Sequence, residues 1–296
     1  MSEDRSQHIL DLCDNWLSSA VSPHGVSTGN DRFRLRNNNL WPHTMTYREL
    51  RAACISATRT LLHAGQNAVV DPDHQYLWAW CVQLLIDPHA AYFLPNEYDL
   101  AALMRLACRA ALADFESKPV NMPVNSGELA KNSSVLLTYL SLPLLDGVLK
   151  KTCSSYVQYD GTVRQQFERI GRPKGLYKQG SRCSSIEDLL WLLYNHVADK
   201  WLRDALDDVR KSISIAAMGK EAFSTIYGWR NHSLHGQATY TTIGGSILTI
   251  TLLIALTALE SNFQHISSDN LASVISWRKS GKTALDWPRL IFYPPN

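Results

Sequence analysis

What this sequence has little of narrows its chemistry first. No two of its six cysteines (Cys13, Cys54, Cys81, Cys108, Cys153, Cys183) form a CxxC pair, and none stands beside a histidine at zinc-finger spacing. The pattern implies free, buried thiols in a reducing compartment. The start, "MSEDRSQHIL", carries no basic-then-apolar leader, so a cytoplasmic location is expected. There is no HExxH pair, and neither "GRPKG" nor "IGG" has the GxxxxGK[ST] spacing of a phosphate loop. Neither a metal site nor a cofactor is expected. Charge of one sign is also scarce: 29 Lys and Arg against 27 Asp and Glu give a net +2. Any nucleic-acid site must therefore be a local basic cluster. Strand signals are few, which points to an all-α fold.

One stretch lacks charge altogether. From Gly236 to Leu259 there is no Asp, Glu, Lys or Arg. Its first part, "GQATYTTIGGS", is polar and glycine-rich, and the strongly apolar part, Ile247 to Leu259, is only 13 residues long. A run of that length reads as a buried core helix rather than a membrane span.

The rest is helical pattern between Pro, Gly and Asn punctuation. Residues 4–19 carry Ile9, Leu10, Cys13, Trp16 and Leu17 at helical spacing. "TYRELRAACISATRTLLHAG" opens with Thr46 and Glu49 as a capping box. Two further helices follow, one capped by Asp71 or Asp73 and one near Asn96. Residues 117–134, rich in Pro, Ser and Asn, mark a candidate boundary. "VLLTYLSLPLLDGVLKK" reads as one helix bent at Pro143. "SSIEDLLWLLYNHVADKWLRDALDDVRKSI" reads as one long amphipathic helix capped by Ser184 and Glu187. The expected organisation is an N-terminal helical region over 1–120, a bundle over 130–265 and an extension over 266–296.

The stretch that asks for an explanation is "GWRNHSLHGQ", residues 228 to 237. It places Arg230, Asn231, His232 and His235 just before the apolar run. The spacing is R-x4-H, with Asn after the Arg and Gly236 after the His, and it resembles the RNxxxHG motif of the HEPN superfamily. "LPLLDGVLKK" is similar to that family's first helix, where an apolar stretch runs into an acidic residue and then a lysine. The resemblance covers the C-terminal half only. It implies a helical bundle with the motif at the head of a late helix. It also implies a metal-independent endoribonuclease acting on RNA, in a prokaryotic toxin, abortive-infection or antiviral setting. Arg230 and His235 would then be catalytic and Asn231 would orient the histidine or the phosphate. A homodimer through the bundle is implied, with the N-terminal half regulating, sensing or binding a protein partner. No membrane partner is expected.

These residue types suit that chemistry. RNA carries its own nucleophile, the 2′-hydroxyl. A histidine with pKa ~6.5 exchanges a proton at neutral pH. An arginine is always charged and forks onto phosphate oxygens. On a straight helix, five steps of 100° put Arg230 and His235 about 140° apart. They share one phosphate only if the helix begins there or a second copy contributes. His232, three before His235, is a supporting or solvent-facing rival. Asp146 and Lys150, four apart, form an ordinary surface pair or a support for the site. The segment 164–182 carries Arg164, Arg169, Arg172, Lys174, Lys178 and Arg182 against one Glu, interleaved with Phe167 and Tyr177. It reads as a solvated loop or as a track for an RNA backbone with aromatics for stacking. Two other readings stay open. One is a non-catalytic dimerisation or nucleotide-binding module. The other is a helical scaffold in which "RNHSLHG" is only a helix entry.

Overall fold

A computed structural model describes residues 4–22, 25–26, 34–63, 72–113, 133–170, 175–236 and 241–280. The fold is all-α. In chain order the elements are α1 (Ser6–Ala20), the short strands β1 (Val21–Ser22) and β2 (Gly25–Val26), α2 (Arg34–Asn37), α3 (Tyr47–His63), α4 (Pro72–Ile86), α5 (Tyr98–Ala113) and α6 (Ser133–Thr152). They continue with the strands β3 (Phe167–Arg169) and β4 (Gly175–Tyr177), then α7 (Ile186–Leu192), α8 (Lys200–Ala216), α9 (Ala222–Leu234), α10 (Thr241–Ala255) and α11 (Phe263–Lys279). The strands form two antiparallel pairs, β1 with β2 and β3 with β4.

The apolar helix α10 is the hub. It packs against α6, α3, α4 and α5. Its apolarity is thus used inside the protein: Ile243–Trp277 is long and apolar enough to cross a membrane, but 83% of its most apolar window is buried. Leu61, Trp78, Met104, Leu145, Leu206 and Leu252 belong to one continuous core. The helices before residues 117–134 and those after them therefore bury their apolar faces together. Two glycines set the approach. A Cβ at Gly244 would lie 2.8 Å from the Thr138 backbone nitrogen, so α10 meets α6 almost backbone to backbone. A Cβ at Gly245 would lie 3.0 Å from the Trp78 ring. Beside it, the Trp78 indole N–H donates to Thr249 Oγ1 at 2.8 Å, which satisfies a polar atom deep in the core.

Local signals explain the helix starts. Thr46 and Glu49 form the expected capping box: the Thr46 N–H donates to Glu49 Oε2 at 2.8 Å and the Glu49 N–H to Thr46 Oγ1 at 3.3 Å. Arg5 Nε also donates to Glu49 Oε1 at 2.9 Å, which pins the start of α1 to α3. All six cysteines are free and buried.

Two expectations need correction. The long helix expected from Ser184 is broken. Ser185, not Ser184, caps α7 by accepting from the Asp188 N–H, and α7 ends in a π-turn over Leu193–Val197. Asp199 then takes an extended conformation and accepts from the Leu202 N–H at 2.6 Å, starting α8 afresh. A side chain that caps inside an amphipathic run wins because it satisfies a helix-end donor while the apolar period continues across the break. The second is that residues 164–182, expected as a loop, contain the β3–β4 hairpin. The extension expected from 266 begins within α11, reached from α10 through a 3-10 turn over Leu256–Asn262. Residues 117–132 of the candidate boundary and 281–296 of the extension lie outside the described residues.

Two outcomes follow from this packing. Gly244→Ala forces a methyl into the α6 backbone and lowers the unfolding free energy by ~1–3 kcal/mol, read from the urea midpoint. The second concerns Glu49. Burial pushes its pKa up, but hydrogen bonds from Arg5 and Thr46 outweigh that and hold it below the ordinary carboxylate value. The stability it contributes is complete above its unfolded pKa of ~4.3 and is lost as pH falls through the lower folded value. In Glu49→Gln the dependence of the urea midpoint on pH flattens in that acid window.

Candidate functional site

Helix α9 carries the motif. Its N-terminus is capped by Glu221, whose carboxylate accepts from the Ser224 N–H at 2.7 Å. Phe223 and Ile226 are buried, and α9 packs on α7, α8 and α6. One turn later the same face presents Arg230, Ser233 and Leu234. The helix ends where the His235 N–H donates to the Asn231 carbonyl at 3.2 Å and the Gly236 N–H to the Ser233 carbonyl at 3.0 Å. Gly236 has φ 68°, a left-handed conformation that glycine adopts without strain and that commonly terminates helices. This corrects the expected placement: the motif closes α9 and does not head the apolar helix. Residues 237–240 lie outside the described set, and α10 begins at Thr241.

A cleft of about 250 Å³ opens between α9, α6 and the start of α7. Its polar lining is Arg230, Asp146, Lys150, Ser184 and Ser233. The rest of the wall is Tyr139, Leu142, Pro143, Ile186 and Leu234. Tyr139, Pro143, Asp146 and Lys150 follow one another at steps of four, three and four along α6, so they share a face. The helix continues through Pro143. Proline has no N–H, so the Tyr139 carbonyl receives no helical hydrogen bond from it. Two cations against one carboxylate give the lining a positive excess.

Hydrogen bonds fix the cleft wall. Lys150 Nζ donates to Asp146 Oδ2 at 2.6 Å, with both side chains partly buried. Arg230 Nη1 donates to Asn231 Oδ1 at 3.2 Å. The Tyr139 hydroxyl donates to the Ser233 carbonyl at 2.8 Å, a second hydrogen bond on an oxygen that also accepts from the Gly236 N–H. Cysteine chemistry is not set up here. Burial pushes Cys183 up to about 11 and Cys153 up to about 12, so both stay protonated thiols.

The tertiary structure thus unites Arg230 with Asp146 and Lys150, about eighty residues apart in the chain. Asn231 touches Arg230. His235 and His232 are exposed and do not line the cleft. Arg230, Ser233 and Leu234 line the cleft, and His235, the residue that caps the end of α9, does not. Tyr139, Pro143 and Leu234 were missed by sequence reasoning. The signal for Tyr139 and Pro143 was the α6 stripe, which continues the Asp146–Lys150 spacing backwards by whole turns, and Leu234 lies four residues after Arg230 on α9. Among the described residues no group of three or more His, Cys, Asp or Glu is placed to hold a metal ion.

Among the described residues of the basic segment, only Arg169 and the two aromatics depart from the solvent-facing placement expected of them. Arg164, Lys178 and Arg182 are exposed around the β3–β4 hairpin. Arg172 and Lys174 lie outside the described residues. Arg169 is turned inward, its Nε 3.7 Å from Asp188 Oδ2 and its guanidinium over the Tyr177 ring. Phe167 and Tyr177, expected as stacking aromatics, are buried and stack on each other with centroids 4.9 Å apart. They are cross-strand partners on the inner face of the hairpin, so burial claims both rings. Tyr177 also donates to buried Asp188 at 2.9 Å.

Comparison with known proteins adds no relative: no family model, no curated protein and no solved structure matches the chain.

The hairpin geometry separates two kinds of basic residue. Arg169→Ala destabilises the protein by ~1 kcal/mol, a value held low by its partial exposure. Arg164→Ala and Lys178→Ala leave the urea midpoint within ~0.5 kcal/mol of wild type.

Proposed function

We propose that this protein is a metal-independent endoribonuclease of HEPN type, serving in a prokaryotic toxin or antiviral-defence setting. The observation that supports the reading is the cleft lined together by Arg230, Lys150 and Asp146, with an exposed histidine five residues after Arg230. Arg230 and Lys150 hold the scissile phosphate, and Arg230 stabilises the charge that grows on its oxygens. His235 accepts the proton of the RNA 2′-hydroxyl. The 2′-oxygen bonds to phosphorus, the bond from phosphorus to the 5′-oxygen breaks, and that oxygen takes a proton from solvent. The product is a 2′,3′-cyclic phosphate, and RNA supplies the nucleophile. His235 does not line the cleft of its own chain, so a homodimer pairing two α9 ends completes the site. Exposed Arg164, Lys178 and Arg182 guide the RNA backbone, and Arg169 holds the hairpin. The helices before residue 120 take the regulatory or partner-binding role, and the protein works in the cytoplasm.

The exposed position of His235 also favours a second reading, a non-catalytic RNA- or nucleotide-binding module. One experiment separates the two. End-labelled RNA is incubated in excess EDTA with wild type, Arg230→Ala and His235→Ala. The nuclease reading expects cleavage by wild type with cyclic-phosphate ends and a loss of at least ~100-fold in each variant. Equal cleavage by all three proteins, or ends bearing a 3′-hydroxyl, overturns it. RNA binding without cleavage assigns the protein to the binding module.

A further inference from the structure

We propose that the cleft seats one unpaired nucleobase, with the Tyr139 ring as its stacking platform and Arg230 on the adjoining phosphate. The inference rests on the nucleic-acid reading above and names what the site recognises.

Tyr139 is 41% exposed and lines the cleft, yet its hydroxyl is committed to the Ser233 carbonyl at 2.8 Å. A ring held this way is fixed before any ligand arrives, so stacking on it costs little ordering. Its hydroxyl is not free to read a base edge, so recognition uses the face. Pro143 and Leu234, the latter 59% exposed, line the same cleft. A tyrosine, a proline and a leucine left in solvent around one concavity form an apolar seat for a flat ring.

Size and charge choose the occupant. A 250 Å³ cleft lies below the ~300–1,000 Å³ of sites for drug-sized ligands. It holds one base and excludes a base pair. Arg230 lines the same cleft, three residues before the Ser233 that holds the Tyr139 hydroxyl. In the proposed complex its guanidinium takes the phosphate of the base stacked on Tyr139. Lys150 adds a second cation, and Asp146 offers a carboxylate to amino groups on the base. An apolar protein segment would find no use for those two cations. Sequence-tolerant stacking with a phosphate clamp is the way single strands are held.

The test uses full-length protein in EDTA and a short fluorescent 2′-fluoro RNA, which binds but cannot cyclise. Anisotropy gives affinities for the single strand and for its duplex. The variants are Tyr139→Leu, Tyr139→Phe and Tyr139→Trp, each checked by urea denaturation. The single strand binds wild type at least tenfold more tightly than the duplex. Tyr139→Leu keeps an apolar side chain and still loses about ten- to hundredfold. Tyr139→Trp retains affinity, and Tyr139→Phe stays within about threefold because the hydroxyl bonds protein. Equal binding of single strand and duplex overturns the proposal, as does wild-type affinity in Tyr139→Leu. So does a Tyr139→Leu protein that changes only its oligomeric state in ultracentrifugation, which would make this face a subunit contact. The nuclease reading fails separately: Tyr139-dependent binding with no cleavage of ordinary RNA keeps the base seat and removes the nuclease.

Discussion

The near-contact of α10 with α6 at Gly244 is the constraint on which the other helices depend. A hydrogen in place of a side chain lets α10 approach the Thr138 backbone, where any Cβ would come within 2.8 Å. Close approach gives the most apolar helix of the chain neighbours on every side. α3, α4 and α5 join α6 around it, which is why α10 tolerates no charge along its length. The polar atoms it does carry are spent internally: Thr249 and Thr251 donate to the carbonyls four residues back.

The same contact turns α6 into a two-faced helix. Leu137, Thr138, Ser141 and Leu145 point inward and are buried. The opposite stripe, Tyr139, Pro143, Asp146 and Lys150, is left for the cleft. Thus the core contact at Gly244 orients the residues that line the cleft with Arg230. The Tyr139 hydroxyl closes this arrangement by tying α6 to the end of α9. The site stands on a rigid helix pair, and its polar lining includes side chains that are already hydrogen-bonded.

The motif sits at the other extreme of rigidity. Arg230 is held by α9 packing, whereas His235 lies at the last turn, where the helix gives way to a left-handed glycine. One chain thus places the arginine in the cleft and the histidine outside it. In the proposed nuclease a second copy reunites them. In a binding module the division is permanent, and the cleft alone is the functional unit.

By itself, the sequence determined what depends on near neighbours. Apolar period gave the helices, Thr46 and Glu49 gave a capping box that forms as expected, and Asp146 and Lys150 pair because four residues make one turn. The basic excess around 164–182 was also legible, though not its division into exposed residues and an inward-turned Arg169. Only the tertiary structure decided the rest. Whether Asp199 caps a new helix or continues an old one turns on competing local hydrogen bonds that the apolar period does not report. Whether Phe167 and Tyr177 face solvent depends on which side of the hairpin meets the core. That Arg230 joins Asp146, Lys150 and Tyr139 depends on how two helices cross, which is set by the packing of side chains far apart in the chain and carries no local signature.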